Sequence, residues 1–302
     1  MKKLIILLVV FASATQLFAQ EETEKVKDTP VSSPFESGIL IDAQTTVIPD
    51  ARTLEFIIQH KFGSMDNGRS NLWGIYAPSS DIRLGLNYTP VKNFQLGIGQ
   101  SKKNMYTDVS AKWTIFQQTE QNKVPVSVAL YGVAAVDGRN VDKFGTGKIV
   151  DKQGSYAITG VKFPDRLSYF SQIIIGRKFC DWFSLQAGAS FTHYNLADYD
   201  YNHDVVGLHV NGRIKFSPQG SLIFTYDHPL KIENITEQRT WDTHAEPNLA
   251  IGVEIFTFTH AFQMYIGTAD AIIPQHVMAY NQNKFNKKGI AIGFNITRLW
   301  MF

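Results

Sequence analysis

The residues able to do chemistry recur at every second position. Within short stretches they are Glu55, Gln59 and Lys61; Arg83 and Asn87; Asp108 and Lys112; Arg166; Gln186; His209, Arg213 and Lys215; Asp227; and Glu254. Six are basic and four acidic. A row of this kind on one face of a sheet can line an aqueous path for small polar solutes, or pair into a network that closes it. Asp198, Asp200, His203 and Asp204 crowd another stretch, and clustered carboxylates suit a hard cation. A solvated acidic loop is the commoner use of that composition, so no metal site is assigned. His60 and His193 would each need a serine in register to act as catalytic bases. Gly145-Thr146-Gly147-Lys148 lacks the earlier glycine and the following hydroxyl of a phosphate loop, and Gly97-Ile98-Gly99 lacks a third glycine. No catalytic residue and no cofactor site is identified, so the chain reads as a non-enzyme.

The elements that position the polar row have period two, the strand repeat. Leu54, Phe56, Ile58 and Phe62 oppose Glu55, Gln59 and Lys61; Ile82, Leu84, Leu86 and Tyr88 oppose Arg83 and Asn87. Val206, Leu208, Val210, Ile214 and Phe216 oppose His209, Asn211, Arg213 and Lys215. About twelve such segments follow one another, near 52–63, 80–89, 93–101, 105–117, 124–136, 165–178, 183–193, 204–216, 220–228, 247–258, 261–269 and 287–302. In 124–136 and 165–178 both faces are partly apolar. Many segments have the roughly 9–11 residues that a tilted strand needs to cross a bilayer.

Links alternate as well. Those at 64–79, 137–164, 229–246 and 270–286 are long, whereas 90–92, 179–182, 217–220 and 259–260 are short; the brief link at Lys102-Lys103-Asn104 is the exception. Outer-membrane barrels have short periplasmic turns and long surface loops. The fold class expected is therefore all-β, a closed antiparallel transmembrane β-barrel with both termini periplasmic. A soluble β-sandwich also alternates. It does not account for charged residues mid-strand or for aromatics at strand ends, namely Tyr88, Phe94, Phe216, Phe262 and Trp300, which suit an interfacial girdle. Phe294, Ile296, Trp300 and Phe302 form an alternating aromatic ending that resembles the signal read by the bacterial barrel-insertion machinery.

Composition agrees with this class. The 302 residues carry 29 Lys+Arg and 27 Asp+Glu, and the formal charge of +2 gives no reason to expect nucleic acid. One cysteine, Cys180, excludes internal disulfides and thiolate metal clusters. Lys2 and Lys3, an apolar run from Leu4 to Ala14, and Ala19 before Gln20 describe an export signal over residues 1–19. Residues 20–50 follow as a periplasmic segment, charged at first with Pro30 and Pro34, then more apolar from Phe35 to Val47. The expectation is that 35–47 packs into the periplasmic mouth as a plug, with the barrel over 51–302.

The chain resembles a family of uncharacterised outer-membrane β-barrel proteins of the Bacteroidetes, a domain of unknown function. The resemblance rests on Phe35-Glu36-Ser37-Gly38 through Gln44-Thr45, on Leu54-Glu55-Phe56 into His60-Lys61-Phe62-Gly63, and on Asp81-Ile82-Arg83-Leu84-Gly85-Leu86. It continues through Gly97-Ile98-Gly99, Asp165-Arg166-Leu167-Ser168-Tyr169 with Gln172, and His193-Tyr194-Asn195. It implies a barrel and an outer-membrane address and supplies no substrate; outer-membrane lipid and the insertion machinery are the partners expected from the strand pattern and the aromatic ending. Two functional readings stay open: a narrow channel for small polar solutes, and a closed scaffold that presents loops or periplasmic ends to partners. An outer-membrane hydrolase ranks third.

Overall fold

The computed structural model describes residues 28–144, 148–151, 154–157, 161–198, 201–232, 243–286 and 288–302. The expected export signal and Asp200 lie outside the described residues. In chain order come a two-residue hairpin, β1 (Ile39–Leu40) and β2 (Ala43–Gln44), and then β3 (Thr53–Ser64), β4 (Asp81–Val91), β5 (Phe94–Ser101), β6 (Thr107–Phe116) and β7 (Ser127–Val136). A second hairpin, β8 (Lys148–Asp151) and β9 (Gly154–Ala157), interrupts the long link to β10 (Leu167–Cys180). The rest are β11 (Phe183–Tyr194), β12 (Asp204–Lys215), β13 (Gly220–Pro229), β14 (Asn248–Thr257), β15 (His260–Gly267) and β16 (Ala291–Met301).

Strands β3–β7 and β10–β16 form one closed antiparallel barrel of twelve. Two pairings close it. β7 meets β10 from Val136↔Leu167 to Ser127↔Gly176, and β16 meets β3 from Met301↔Thr53 to Ala291↔Ser64. Closure satisfies the strands' backbone groups within the sheet, which a lipid environment demands. Alternation does the rest: Leu84, Ile98, Trp113, Ile173, Leu208, Val253 and Ile266 are exposed on the outside, while the polar set, apart from Arg166 and half-buried Lys215, is buried inside. No helix of the described residues is long and apolar enough to cross a membrane.

The structure departs from the sequence expectations in two respects. The link between β15 and β16 holds a short helix, α1 (Pro274–Tyr280), which the strand pattern did not reveal. Pro274 at its first turn suits a helix start, where a missing N–H is no loss. Arg166 was expected in the strand row but lies in a one-turn 3-10 helix, Pro164–Arg166, ahead of β10. Its Nη1 donates to the carbonyls of Asp137 and Arg139, at 2.9 and 2.6 Å, so it braces a loop instead of lining the lumen. β10 begins one residue later, so strand parity does not reach Arg166.

Candidate functional site

The lumen is occupied from both ends. From the end of the barrel where Phe302 lies, residues 28–52 enter along the β6–β7 turn. Val31 N–H donates to Gln118 O at 2.8 Å, and Glu120 N–H to Thr29 O at 2.9 Å. The chain then crosses the barrel as the β1–β2 hairpin. Phe35, Leu40 and Ile41 are almost fully buried against Ile223, Ala250 and Tyr265.

Polar wall residues hold this segment. Lys112 Nζ donates to Gly38 O and Gln44 Oε1, at 3.0 and 3.1 Å, and Gln186 Nε2 to Gln44 O at 2.6 Å. Arg213 and Lys215 form ion pairs with Glu36, at 2.8 and 3.2 Å, and Lys61 forms one with Asp42. Glu254 accepts from Ser37 Oγ at 3.3 Å and from Gln263 Nε2 at 2.6 Å. The hairpin tip is strained. Ile41 has φ 58°, a left-handed conformation that costs a β-branched residue about 1–3 kcal/mol. It is held there because Ile41 N–H donates to Gln263 Oε1 at 2.9 Å and Asn295 Nδ2 donates to Ile41 O at 2.6 Å.

Other wall residues pair among themselves. Arg83 makes a two-pronged contact with Asp108, at 2.9 and 2.7 Å, and a third bond of 3.2 Å to Gln59. Glu55 accepts from Asn87 and Gln95, at 2.9 and 3.0 Å. Asp227 meets the His209 ring at 2.7 Å and accepts from Asn248 at 2.8 Å. Gln95, Gln263, Asn295 and Asn248 were absent from the sequence-derived set, although each has the same parity as its inward neighbours. Burial pushes the carboxyl of Asp42, on the hairpin, up to about 6, against the opposing pull of Lys61.

At the other end the β15–β16 link folds inward. Met278 and Ala279 of α1 are buried against Val133, Phe170, Tyr194 and Val205, and Ile273 against Tyr106 and Ala135. This packing explains why β7 and β10 are apolar on both faces: one face is exposed on the outside of the barrel, the other meets α1. Ile272 N–H donates to Asp81 Oδ2 at 3.1 Å and pins the link to β4.

Between hairpin and helix lies a small cavity of about 40 Å3. Asp42, Gln59, Arg83, Asp108, Gln172, His209 and Asp227 line its polar side, and Phe170, Ile273, Val277 and Met278 its apolar side.

The remaining sequence candidates do not converge. His60 stacks on Phe294 on the outer face, and His193 pairs with Asp204. The His203 ring meets Tyr194 O at 2.8 Å. Among the described residues, no three His, Cys, Asp or Glu side chains gather as metal ligands would.

A closed barrel with an apolar exterior, a polar interior and inward-folded segments is a membrane-spanning β-barrel of the outer-membrane, porin-like type. The chain belongs to the family described as Membrane bound beta barrel domain (DUF5777), which matches residues 35–300 and so takes in the inserted hairpin as well as the wall. Among solved structures, the COG4313 outer membrane channel from Pseudomonas putida F1 is similar, with 13% identity and a TM-score of 0.51 over 84% of this chain and 97% of that one. The KdgM porin matches at 7% identity and a TM-score of 0.44, over 83% of this chain and 99% of that one. The NanC porin has 6% identity and a TM-score of 0.44, with 82% and 99% covered. No curated protein matches by sequence.

Proposed function

We propose that the protein is a gated outer-membrane channel for small polar solutes, closed at rest by its own residues 28–52. The carrying observation is how the hairpin is held. Lys112, Gln186, Arg213, Gln263 and Asn295 bind it through hydrogen bonds and ion pairs that water can replace one by one. Buried ion pairs are weak stabilisers compared with apolar filling of the same volume. A wall selected only to stay shut gains nothing from Arg83, Lys112, Arg213 and Glu254, whereas a wall that is wetted when the hairpin leaves needs them. In this reading the termini and short turns face the periplasm, the long links face outward, and the outer face meets lipid. The aromatic ending at Trp300 and Phe302 is the handle for the insertion machinery.

The apolar contacts of Phe35, Leu40 and Ile41 favour the second reading, a permanently closed scaffold. Deleting residues 35–47 separates the two. Single-channel conductance in planar bilayers should rise severalfold if the segment is a gate, and unchanged conductance would leave the scaffold.

A further inference from the structure

Ser190, His209 and Asp227 stand on neighbouring strands β11, β12 and β13 and form one hydrogen-bonded row across the inside of the barrel. The His209 ring meets Asp227 Oδ1 through Nδ1 at 2.7 Å and Ser190 Oγ through Nε2, also at 2.7 Å. Asn248 Nδ2 fixes the second oxygen of Asp227 at 2.8 Å. All three members of the row are at least nine-tenths buried.

Strand register explains how the side chains reach one another. Asp227 is directly opposite His209, whereas the direct partner of Ser190 is Gly207 and the β11 residue facing His209 is Gly188. With glycine at both crossing positions, the ring is free to lean diagonally onto Ser190. A Cβ on Gly207 would come within 2.7 Å of Ser190 Oγ and 3.2 Å of His209 Nε2. His209 and Asp227 line the cavity together with Gln172, the direct cross-strand partner of Ser190, while Ser190 itself lies just behind that lining. Met278 of α1 stands over the same spot, its methyl 2.2 Å from the position a Gly207 Cβ would take.

We infer that Ser190, His209 and Asp227 form a nucleophilic triad for acyl transfer from small esters held in the cavity. The roles follow from geometry, since a triad is recognised by its contacts and not by its order in the chain. Ser190 Oγ adds to the ester carbonyl carbon as its proton passes to His209 Nε2. Asp227 orients the ring through Nδ1 and stabilises the imidazolium. His209 returns the proton to the leaving oxygen as the C–O bond breaks, giving acyl-serine and free alcohol. Water then repeats the sequence and releases the carboxylic acid. The Gln172 amide, facing Ser190 across the strands, is the side-chain donor for the developing oxyanion. The cavity takes an acyl group against Phe170, Val277 and Met278 with its polar end toward Arg83.

This activity is independent of gating, because a lumen can conduct without acylating Ser190. The test is covalent labelling of the full chain in detergent micelles with a fluorophosphonate probe, mapped by peptide mass spectrometry. The native protein should carry one adduct, on Ser190, and Ser190→Ala should carry none. His209→Gln should label at least about tenfold more slowly, as expected when the general base is lost. Met278→Ala should label faster, because Ser190 is uncovered. Absence of a Ser190 adduct from both the native chain and Met278→Ala, each migrating as a heat-modifiable folded barrel, overturns the triad. Equal labelling of His209→Gln overturns it too, since a histidine serving only to satisfy buried polar groups would leave serine reactivity unchanged.

Discussion

The N-terminal segment and the β15–β16 link enter the barrel from opposite ends and are held by different forces. Around the first, charged and amide side chains of β3, β6, β11, β12 and β15 reach the hairpin backbone or its acids. Around the second, Met278, Ala279 and Ile273 sit among Val133, Phe170, Tyr194 and Tyr106, and the polar ties at Asp81, Asn248 and Lys103 go to the ends of the link. Each hydrogen bond exchanged for water changes the balance by only about 0.5–1.5 kcal/mol net. Withdrawing an apolar helix face instead exposes its whole area at about 25 cal/mol per Å2. In the proposed channel the hairpin is the part that moves and α1 the part that stays.

The largest effect on that contrast should come from removing the hairpin's freedom. A Cβ on Gly176 would lie 3.1 Å from the Thr46 hydroxyl, a separation that a disulfide can span. Combining Thr46→Cys, Gly176→Cys and Cys180→Ser should abolish channel openings under oxidising conditions and restore them with reductant. Openings that persist in the oxidised protein would mean that solute passes without hairpin movement.

Next in size is Glu36→Arg, which sets a third cation beside Arg213 and Lys215. Unpaired buried charge is worth about 3–5 kcal/mol, enough to leave the channel mostly open in single-channel records. On the other closure, Ile273→Ala should cost at the lower end of the roughly 2–5 kcal/mol typical of such truncations. It should lower the thermal unfolding midpoint and leave the hairpin's open fraction unchanged. A rise in open fraction would show that the two closures are coupled.

The smallest effect is that of pH. Asp42 titrates near 6 when the hairpin is seated, above its ordinary 3.8. The seated form thus binds the extra proton, so seating is tightest below about pH 4, weakens as pH rises through 6 and is flat above. Closed dwell times measured from pH 4 to 7 should shorten accordingly, and Asp42→Asn should remove the trend.

Much of this architecture was legible in the residues. The alternation of Leu84 and Leu86 with Arg83 and Asn87, and of Val206 and Leu208 with His209, is a local property. It specifies strand, faces and even link lengths without knowledge of any partner. Where local pattern failed, a distant partner was responsible. β7 and β10 read ambiguously because Val133 and Phe170 face a helix more than a hundred residues away in sequence, and Arg166 was misplaced because its strand begins one residue later.

The chain order by itself determined a closed sheet with grease outside and polarity inside, since side chains two apart share a face whatever surrounds them. Only the tertiary structure decided what fills the interior. Lys61 meets Asp42, Arg213 meets Glu36, and Ser190 meets His209 across a glycine. Those meetings depend on strand register and on where two inserted segments come to rest, and no repeat along the chain encodes a contact between residues that only closure of the barrel brings together.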